Sequence, residues 1–261
     1  MNILLIGDVV GHGGRAAVCE LVPRLREQLN IDFVIVNGEN MAGGRGMNTK
    51  TLKSLDEAEV DLFTSGDHIW DQRQFLGEID NWPNVLRPAN LPVGQPGKGY
   101  GIFTAENGKK VGVVNLLGQV FVGTNADNPF QAAQKIIEEL KSETDIILVD
   151  FHAEATSEKI AMGFFLDGKV SCVFGTHTHV QTNDAKVLEN GTAYITDIGM
   201  VGSRNSVLGR KVSAVLKKFS TGIPSSFDVV NSAVTLTGAV VKVDDTTGKA
   251  VSIQTIVRDF S

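Results

Sequence analysis

The sequence predicts an α/β fold built around a largely parallel sheet, and three observations support this prediction. Short apolar runs alternate with helix-like stretches over the first two thirds of the chain, the pattern of βαβ units. The end of the chain alternates apolar and polar residues on both sides of a short turn, which predicts an antiparallel hairpin. With 261 residues, 42% of them hydrophobic, the chain can bury a large core. We therefore expect a single domain over residues 1–261.

The predicted strands are short apolar runs, and the predicted helices lie between them. The strands span residues 2–6, 33–36, 62–64, 111–116, 146–149, 172–174 and 193–195. The helices span residues 14–28, 49–57, 129–141 and 157–165. The hairpin pairs residues 233–243 with residues 250–257 around a turn that ends at Gly248.

The ends of five predicted strands carry side chains of the types that bind metal ions. Ligands of open α/β sheets gather outside the carboxyl ends of the strands. The residues at these ends are Asp8, Glu39, Asn40, Asp67, His68, His152, His177 and His179. A shared metal site explains why acidic, amide and imidazole side chains collect on one edge of the sheet.

Two of these histidines, His177 and His179, are separated by a single residue. In an extended backbone both side chains point the same way, about 6 to 7 Å apart. That span suits two metal ions about 3.5 to 4 Å apart. The whole set offers oxygen and imidazole donors and no thiolate, which favours two divalent ions over a structural zinc site.

The composition argues against several other classes of protein. The 24 basic and 30 acidic residues give a net charge of −6 without a Lys/Arg-rich block, which argues against binding of long nucleic acid. No apolar run approaches the length of about 18 residues that a membrane span needs, and the chain enters its first predicted strand without a basic leader. We expect a cytoplasmic protein in which Cys19 and Cys172 are buried thiols.

Four longer segments carry a resemblance to a known family. They read GDVVG at 7–11, NGENMAGGRGM at 37–47, DFHAEATSEK at 150–159 and GTHTHVQT at 175–182. These segments resemble the calcineurin-like metallophosphoesterase superfamily and, more narrowly, the bacterial YmdB family of cyclic-nucleotide phosphodiesterases. The resemblance runs nearly the whole length of the chain. It implies a metallophosphoesterase-like layered αββα sandwich with mixed sheets and a C-terminal antiparallel hairpin.

The resemblance also implies a role for each residue at the strand ends. The implied ligands are Asp8, Asn40 and His179 for one metal ion, Asp67, His152 and His177 for the other, and Glu39 as the bridge. His68 would be the general acid. Iron and manganese are the expected metals, since both accept oxygen and imidazole ligands.

Two positions depart from the superfamily pattern. The usual Asp-x-His opening is here Asp8-Val9-Val10, and Asn40 looks like the substitute for the missing histidine, as is usual in this branch. The asparagine of the Gly-Asn-His motif is here Asp67, which brings an additional negative charge. We expect metal binding to survive this change, with an altered metal preference.

The resemblance implies a hydrolase of small phosphodiesters, chiefly 2′,3′- or 3′,5′-cyclic nucleotides. By hypothesis, a hydroxide that bridges the metal ions attacks the phosphorus and His68 protonates the departing ribose oxygen. Two alternatives stay open. One is a phosphomonoesterase or short-oligonucleotide nuclease, and the other is a regulatory protein that binds metal and nucleotides with little turnover. The expected partners are a small phosphodiester and, in a homo-oligomer, other copies of the chain, but neither long nucleic acid nor a membrane.

Overall fold

The computed structural model describes residues 1–260, and these residues form two mixed sheets flanked by helices. The strands are β1 (Asn2–Ile6), β2 (Asp8–Val9), β3 (Phe33–Asn37), β4 (Leu62–Thr64), β5 (Tyr100–Thr104), β6 (Lys110–Leu117), β7 (Ile147–His152), β8 (Cys172–Thr176), β9 (Lys186–Val187), β10 (Ala193–Ile195), β11 (Met200–Ser203), β12 (Val234–Val243) and β13 (Ala250–Phe260). The α-helices are α1 (Gly11–Leu29), α2 (Thr49–Lys53), α3 (Pro129–Leu140), α4 (Thr156–Leu166) and α5 (Val212–Thr221). Two short 3₁₀ helices span Arg73–Gly77 and Ile79–Asn81.

Each sheet has a parallel centre and antiparallel additions. The first sheet has the order β2-β11-β12-β1-β3-β4, with β13 paired to β12. Strands β1, β3 and β4 are parallel, whereas β12 runs antiparallel to β1, β11 and β13. The second sheet has the order β5-β6-β7-β8-β10-β9, with parallel pairing from β6 to β10 and antiparallel strands at both edges. The carboxyl ends of β1, β3 and β4 thus share one edge, as do those of β7 and β8.

The first sheet buries both of its faces because its apolar side chains alternate. On β1, Leu4 and Ile6 pack into a core with Val18 of α1, whereas Ile3 and Leu5 pack into a second core between the two sheets. Successive side chains of a strand point to opposite faces, so an unbroken apolar run is what a strand covered on both sides requires.

The second sheet repeats this arrangement. Leu148 of β7 faces the core between the sheets, whereas Ile147 and Val149 face a third core that contains Ile137 of α3 and Met162 of α4. The order of layers is therefore helices, sheet, sheet, helices. This confirms the predicted αββα sandwich, and the antiparallel pairing of β12 with β13 confirms the C-terminal hairpin.

All seven predicted strands are present, and three of them, β1, β4 and β10, have the predicted bounds. Strands β2, β5, β9 and β11 and helix α5 were not predicted. No helix within residues 1–260 is long and apolar enough to cross a membrane. The single domain over residues 1–261, the cytoplasmic location and the homo-oligomer stay predictions.

Candidate metal centre

The structure brings the side chains from the predicted strand ends to one place. Each predicted site residue lies at or just beyond the end of a parallel strand. Asp8 follows β1, Glu39 and Asn40 follow β3, Asp67 and His68 follow β4, His152 ends β7, and His177 and His179 follow β8. The first sheet and the second sheet therefore contribute facing halves of the same site.

Four of these residues form a tight cluster in which any two ligand atoms lie within 4.8 Å of each other: Glu39, Asp67, His152 and His177. His152 is at its centre. Its Nε2 lies 3.1 Å from Glu39 Oε1 and 3.3 Å from Asp67 Oδ1, and hydrogen-bonds His177 Nδ1 at 3.0 Å. Two carboxylates and two imidazoles thus converge from four different segments of the chain.

The other three predicted ligands, Asp8, Asn40 and His179, lie beside this cluster. His179 Nε2 is 3.2 Å from Asn40 Nδ2 and 3.9 Å from Asp8 Oδ1. Asn40 Nδ2 also donates a hydrogen bond to Glu39 Oε1 at 3.0 Å, so Glu39 adjoins both sets. In this orientation the amide nitrogen of Asn40 faces the site. A half-turn of the amide would present its oxygen, the atom that can bind a cation.

The donor set fits divalent cations, because it contains buried acceptor atoms without donors. Asp8 Oδ1 and Asp67 Oδ1 are buried and have no hydrogen-bond partner among the described residues. An unsatisfied buried polar atom costs about 1 to 3 kcal/mol, and more when it is charged. A divalent cation would satisfy carboxylate oxygens and imidazole nitrogens together.

Hydrogen bonds behind the cluster orient the His152 ring. Its Nδ1 is 2.8 Å from Thr176 Oγ1, and that hydroxyl donates to Asp150 Oδ1 at 2.7 Å. Because the Thr176 hydrogen is committed to Asp150, its oxygen accepts from His152 Nδ1–H. The ring therefore directs Nε2 towards Glu39 and Asp67, as metal-binding histidines backed by a carboxylate do.

His177 is backed by a carboxylate more directly. Glu154 Oε2 lies 3.1 Å from His177 Nε2, while Nδ1 of the same ring faces the cluster. A carboxylate at this position favours a proton on Nε2, which leaves the lone pair of Nδ1 pointing into the site. When a metal ion takes the place of the proton on His152 Nε2, these partners would present a lone pair of each ring to it.

Burial and mutual attraction shift the pKa values of the site strongly. Burial raises the pKa of Asp8 to about 7 and lowers the pKa of His179 to about 4. Burial opposes a charged His152, but Glu39, Asp67 and Asp8 outweigh it and raise the pKa of that imidazole well above its usual range. Burial would also raise the pKa of Asp67. The His152 and His177 rings, at 3.3 and 3.4 Å without hydrogen-bond alignment, instead hold it well below its ordinary value.

The loop that carries His177 and His179 is not the extended segment that the sequence predicts. Both residues have positive φ, 98° and 65°, in the left-handed region that side chains other than glycine rarely adopt. Surrounding contacts hold this conformation. Lys159 Nζ donates to the Thr176 carbonyl at 2.7 Å, and Asp197 Oδ2 accepts from the Thr178 amide at 3.0 Å. Strain of this kind persists only where the surrounding structure fixes it.

Several residues around the centre were not predicted as site residues. Asp71 Oδ2 lies 3.2 Å from His68 Nδ1. Glu154 follows His152 by two residues, so its position just beyond a strand end could have predicted that it belongs to the site. Lys159 and Asp197 are 38 positions apart and meet only through the fold.

The chain is similar to known proteins over nearly its whole length. Residues 4–256 match the profile of a family described as YmdB-like protein. The chain is 47% identical over 257 residues to a 2′,3′-cyclic-nucleotide 2′-phosphodiesterase of Bacillus subtilis (strain 168), covering 98% of this chain and 97% of the relative.

Two solved structures bear on the fold. The crystal structure of a novel phosphatase from Mycoplasma pneumoniae superposes with a TM-score of 0.92 at 35% identity, covering 99% of this chain and 93% of that one. The calcineurin-like phosphoesterase YfkN from Bacillus subtilis superposes with a TM-score of 0.55 at 15% identity, covering 99% and 90% of the two chains. The second likeness concerns the fold alone.

Proposed function

The chain belongs to the YmdB-like protein family, and on that premise we propose that it is a metal-dependent phosphodiesterase that hydrolyses 2′,3′-cyclic nucleotides. The observation that carries the proposal is the convergence of Glu39, Asp67, His152 and His177 within 4.8 Å. The alternative substrate for the same site is a 3′,5′-cyclic nucleotide.

We assign two divalent ions to the site. Asp8, Asn40 and His179 would hold one ion, Asp67, His152 and His177 would hold the other, and Glu39 would bridge them. Ions held in this way neutralise phosphate charge and make water a stronger acid, so that a nucleophile is available near neutral pH. Iron or manganese suits the donor set, which has oxygen and imidazole ligands and no thiolate.

His68 is the proposed general acid. Its Nδ1 lies 3.2 Å from Asp71 Oδ2, and its backbone N–H donates to Glu39 Oε2 at 3.3 Å, so both the ring and its main chain are tied to the site. The contact with Asp71 leaves His68 Nε2 free to deliver a proton to the departing ribose oxygen. That oxygen would otherwise leave as a poorly stabilised alkoxide.

The leaving oxygen in this proposal is O2′. The name of the Bacillus relative specifies cleavage of the ester bond at the same 2′ position. Cleavage there converts a 2′,3′-cyclic nucleotide and water into a nucleoside 3′-phosphate with a free 2′-hydroxyl. The water supplies an oxygen to phosphorus, and the proton on the new hydroxyl comes from His68.

The test is hydrolysis by purified protein, first stripped of metal and then reloaded with manganese or iron. The substrates are 2′,3′-cyclic AMP, 3′,5′-cyclic AMP and a nitrophenyl phosphomonoester. We expect metal-dependent turnover with 2′,3′-cyclic AMP as the best substrate. Preference for the monoester would favour a phosphomonoesterase. Metal binding without cleavage of any substrate would favour a regulatory binding protein.

A further inference from the structure

A pocket of about 430 Å³ opens over the metal centre and extends well beyond it. One part of its lining is the metal centre itself, including Glu39, His68 and His177. A second part of the lining, here called the apolar wall, consists of Leu208, Val215, Phe219 and Phe227. Pockets for small molecules span about 300 to 1,000 Å³. The volume suits one small ligand that touches both parts.

The apolar wall contains an aromatic ring that no side chain covers. Phe219 lies on α5, a helix in which only Val215 is buried, and 79% of Phe219 is exposed. Phe227, in the segment that follows α5, lines the same pocket, and its ring centre is 5.1 Å from Lys218 Nζ. Two phenyl rings at the rim of a polar site are a surface for a flat apolar group.

Basic side chains line the same pocket as the apolar wall and the metal centre. Arg45, Arg210 and Lys218 all line the pocket, in a chain whose net charge is −6. Arg210 donates to the carbonyls of Phe227 and Gly44, which ties the wall to the glycine-rich loop after β3. Within residues 1–260, neither Arg210 nor Lys218 is paired with a carboxylate. These charges suit an anionic ligand.

We propose that the apolar wall is a nucleobase subsite, in which the base of a mononucleotide stacks on Phe219 and Phe227 while its phosphate lies at the metal centre. This inference rests on the proposed function and assigns the selection of the substrate to the apolar wall. Aromatic rings stack on any base because every base has a flat π face. The subsite therefore selects nucleotides over other phosphodiesters with little preference among bases.

The experiment compares two substrates that differ only in the base. They are 2′,3′-cyclic AMP and the 2′,3′-cyclic phosphate of methyl riboside, each assayed with metal-loaded protein. We expect wild-type kcat/KM to be higher for the nucleotide by about fivefold to a hundredfold, the range that loss of one stacking contact produces. Phe219→Ala should lower that ratio, because only the stacking on Phe227 would remain. Because Phe219 is exposed, its truncation should not unfold the chain.

Leu216→Ala is the matched control, since Leu216 is 58% exposed on the same helix and does not line the pocket. It should keep the wild-type ratio. Equal kcat/KM for both substrates in the wild type, or an unchanged ratio in Phe219→Ala, would overturn the inference. So would a lower sedimentation coefficient for Phe219→Ala, because the ring would then be covered by a second copy of the chain.

Binding provides a readout that does not depend on turnover. Calorimetry with adenosine 3′-monophosphate and ribose 3-phosphate should show at least about fivefold tighter binding of the nucleotide, and Phe219→Ala should reduce this preference. A preserved binding preference without any hydrolysis would sink the proposed function and leave the subsite standing. Equal affinity for the two ligands would refute the subsite.

Discussion

Lys159 Nζ lies 2.7 Å from Asp197 Oδ2, and this ion pair is buried directly behind the loop that carries His177 and His179. Lys159 also donates to the Thr176 carbonyl. Asp197 accepts from the amide and the hydroxyl of Thr178, at 3.0 and 2.8 Å. The pair thus holds the backbone on either side of His177, which explains how a left-handed conformation persists there.

The first prediction concerns this pair. Lys159→Met leaves the Asp197 charge buried and unpaired, so we expect a loss of about 3 to 5 kcal/mol in the free energy of unfolding. The double variant Lys159→Met/Asp197→Asn removes both charges and should recover part of this loss. Urea denaturation measures both effects.

The same variants distinguish a role in positioning the loop from a role in stability alone. Metal affinity should fall in both, because the Thr176 carbonyl has lost its donor in each. If the double variant regains wild-type metal affinity together with its stability, the pair does not position the loop.

The second prediction concerns the carboxylate behind His177. Glu154→Ala removes the contact at His177 Nε2, so we expect metal affinity to fall about tenfold. This is the low end of the loss of affinity seen for residues that orient a metal ligand, because Glu154 is half exposed. Glu154→Gln keeps an acceptor and should lie between Glu154→Ala and the wild type. Glu143→Ala, at an exposed glutamate paired with Lys110, is the control. Equal affinity in Glu154→Ala and Glu143→Ala would contradict the assignment.

The third prediction uses the close approach of Gly66 to the cluster. A Cβ at this position would lie 2.2 Å from His152 Nε2 and 2.3 Å from Glu39 Oε2. Gly66→Ala must therefore displace a cluster side chain, and we expect turnover to fall by about a hundredfold or more. Gly77→Ala, which would meet nothing within 4 Å, should behave as wild type. Normal turnover in Gly66→Ala would show that the cluster is not the reaction site.

The fourth prediction concerns acid stability. Burial opposes the ionised form of Asp184, but hydrogen bonds from Thr182 and Thr196 outweigh it and lower the pKa of this carboxyl below 3.8. Its contribution to stability is therefore complete above that value and is lost as the pH falls through the lower folded pKa. Asp184→Asn should lose less stability than wild type between about pH 5 and about pH 2. Urea midpoints across that range measure the slopes, and parallel slopes would refute the prediction.

Most of the layered fold was predictable because it is encoded locally. Ile3 to Ile6 form an unbroken apolar run, which only a strand buried on both faces can accommodate. The polar residues just beyond such runs then lie on one sheet edge, so the sequence predicts that Asp8, Glu39 and His152 meet.

Helix α5 was missed although its sequence predicts it. Val212, Val215, Leu216 and Phe219 have the i, i+3, i+4, i+7 spacing of a helix, even though Val215 is the one buried residue of this helix. What the sequence could not predict depends on contacts between distant segments. The left-handed backbone at His177 and His179 is imposed by Lys159 and Asp197, and no local rule anticipates it.

We propose that Glu39 is part of a two-metal centre that performs the hydrolysis. The most direct measurement titrates manganese into metal-stripped protein while 2′,3′-cyclic AMP hydrolysis is followed, for the wild type and for Glu39→Gln. We expect wild-type turnover to rise from nearly zero to a plateau at about two ions per chain, and the variant to show no turnover at any metal concentration. Wild-type turnover that survives stripping, or equal turnover in Glu39→Gln, would contradict the account.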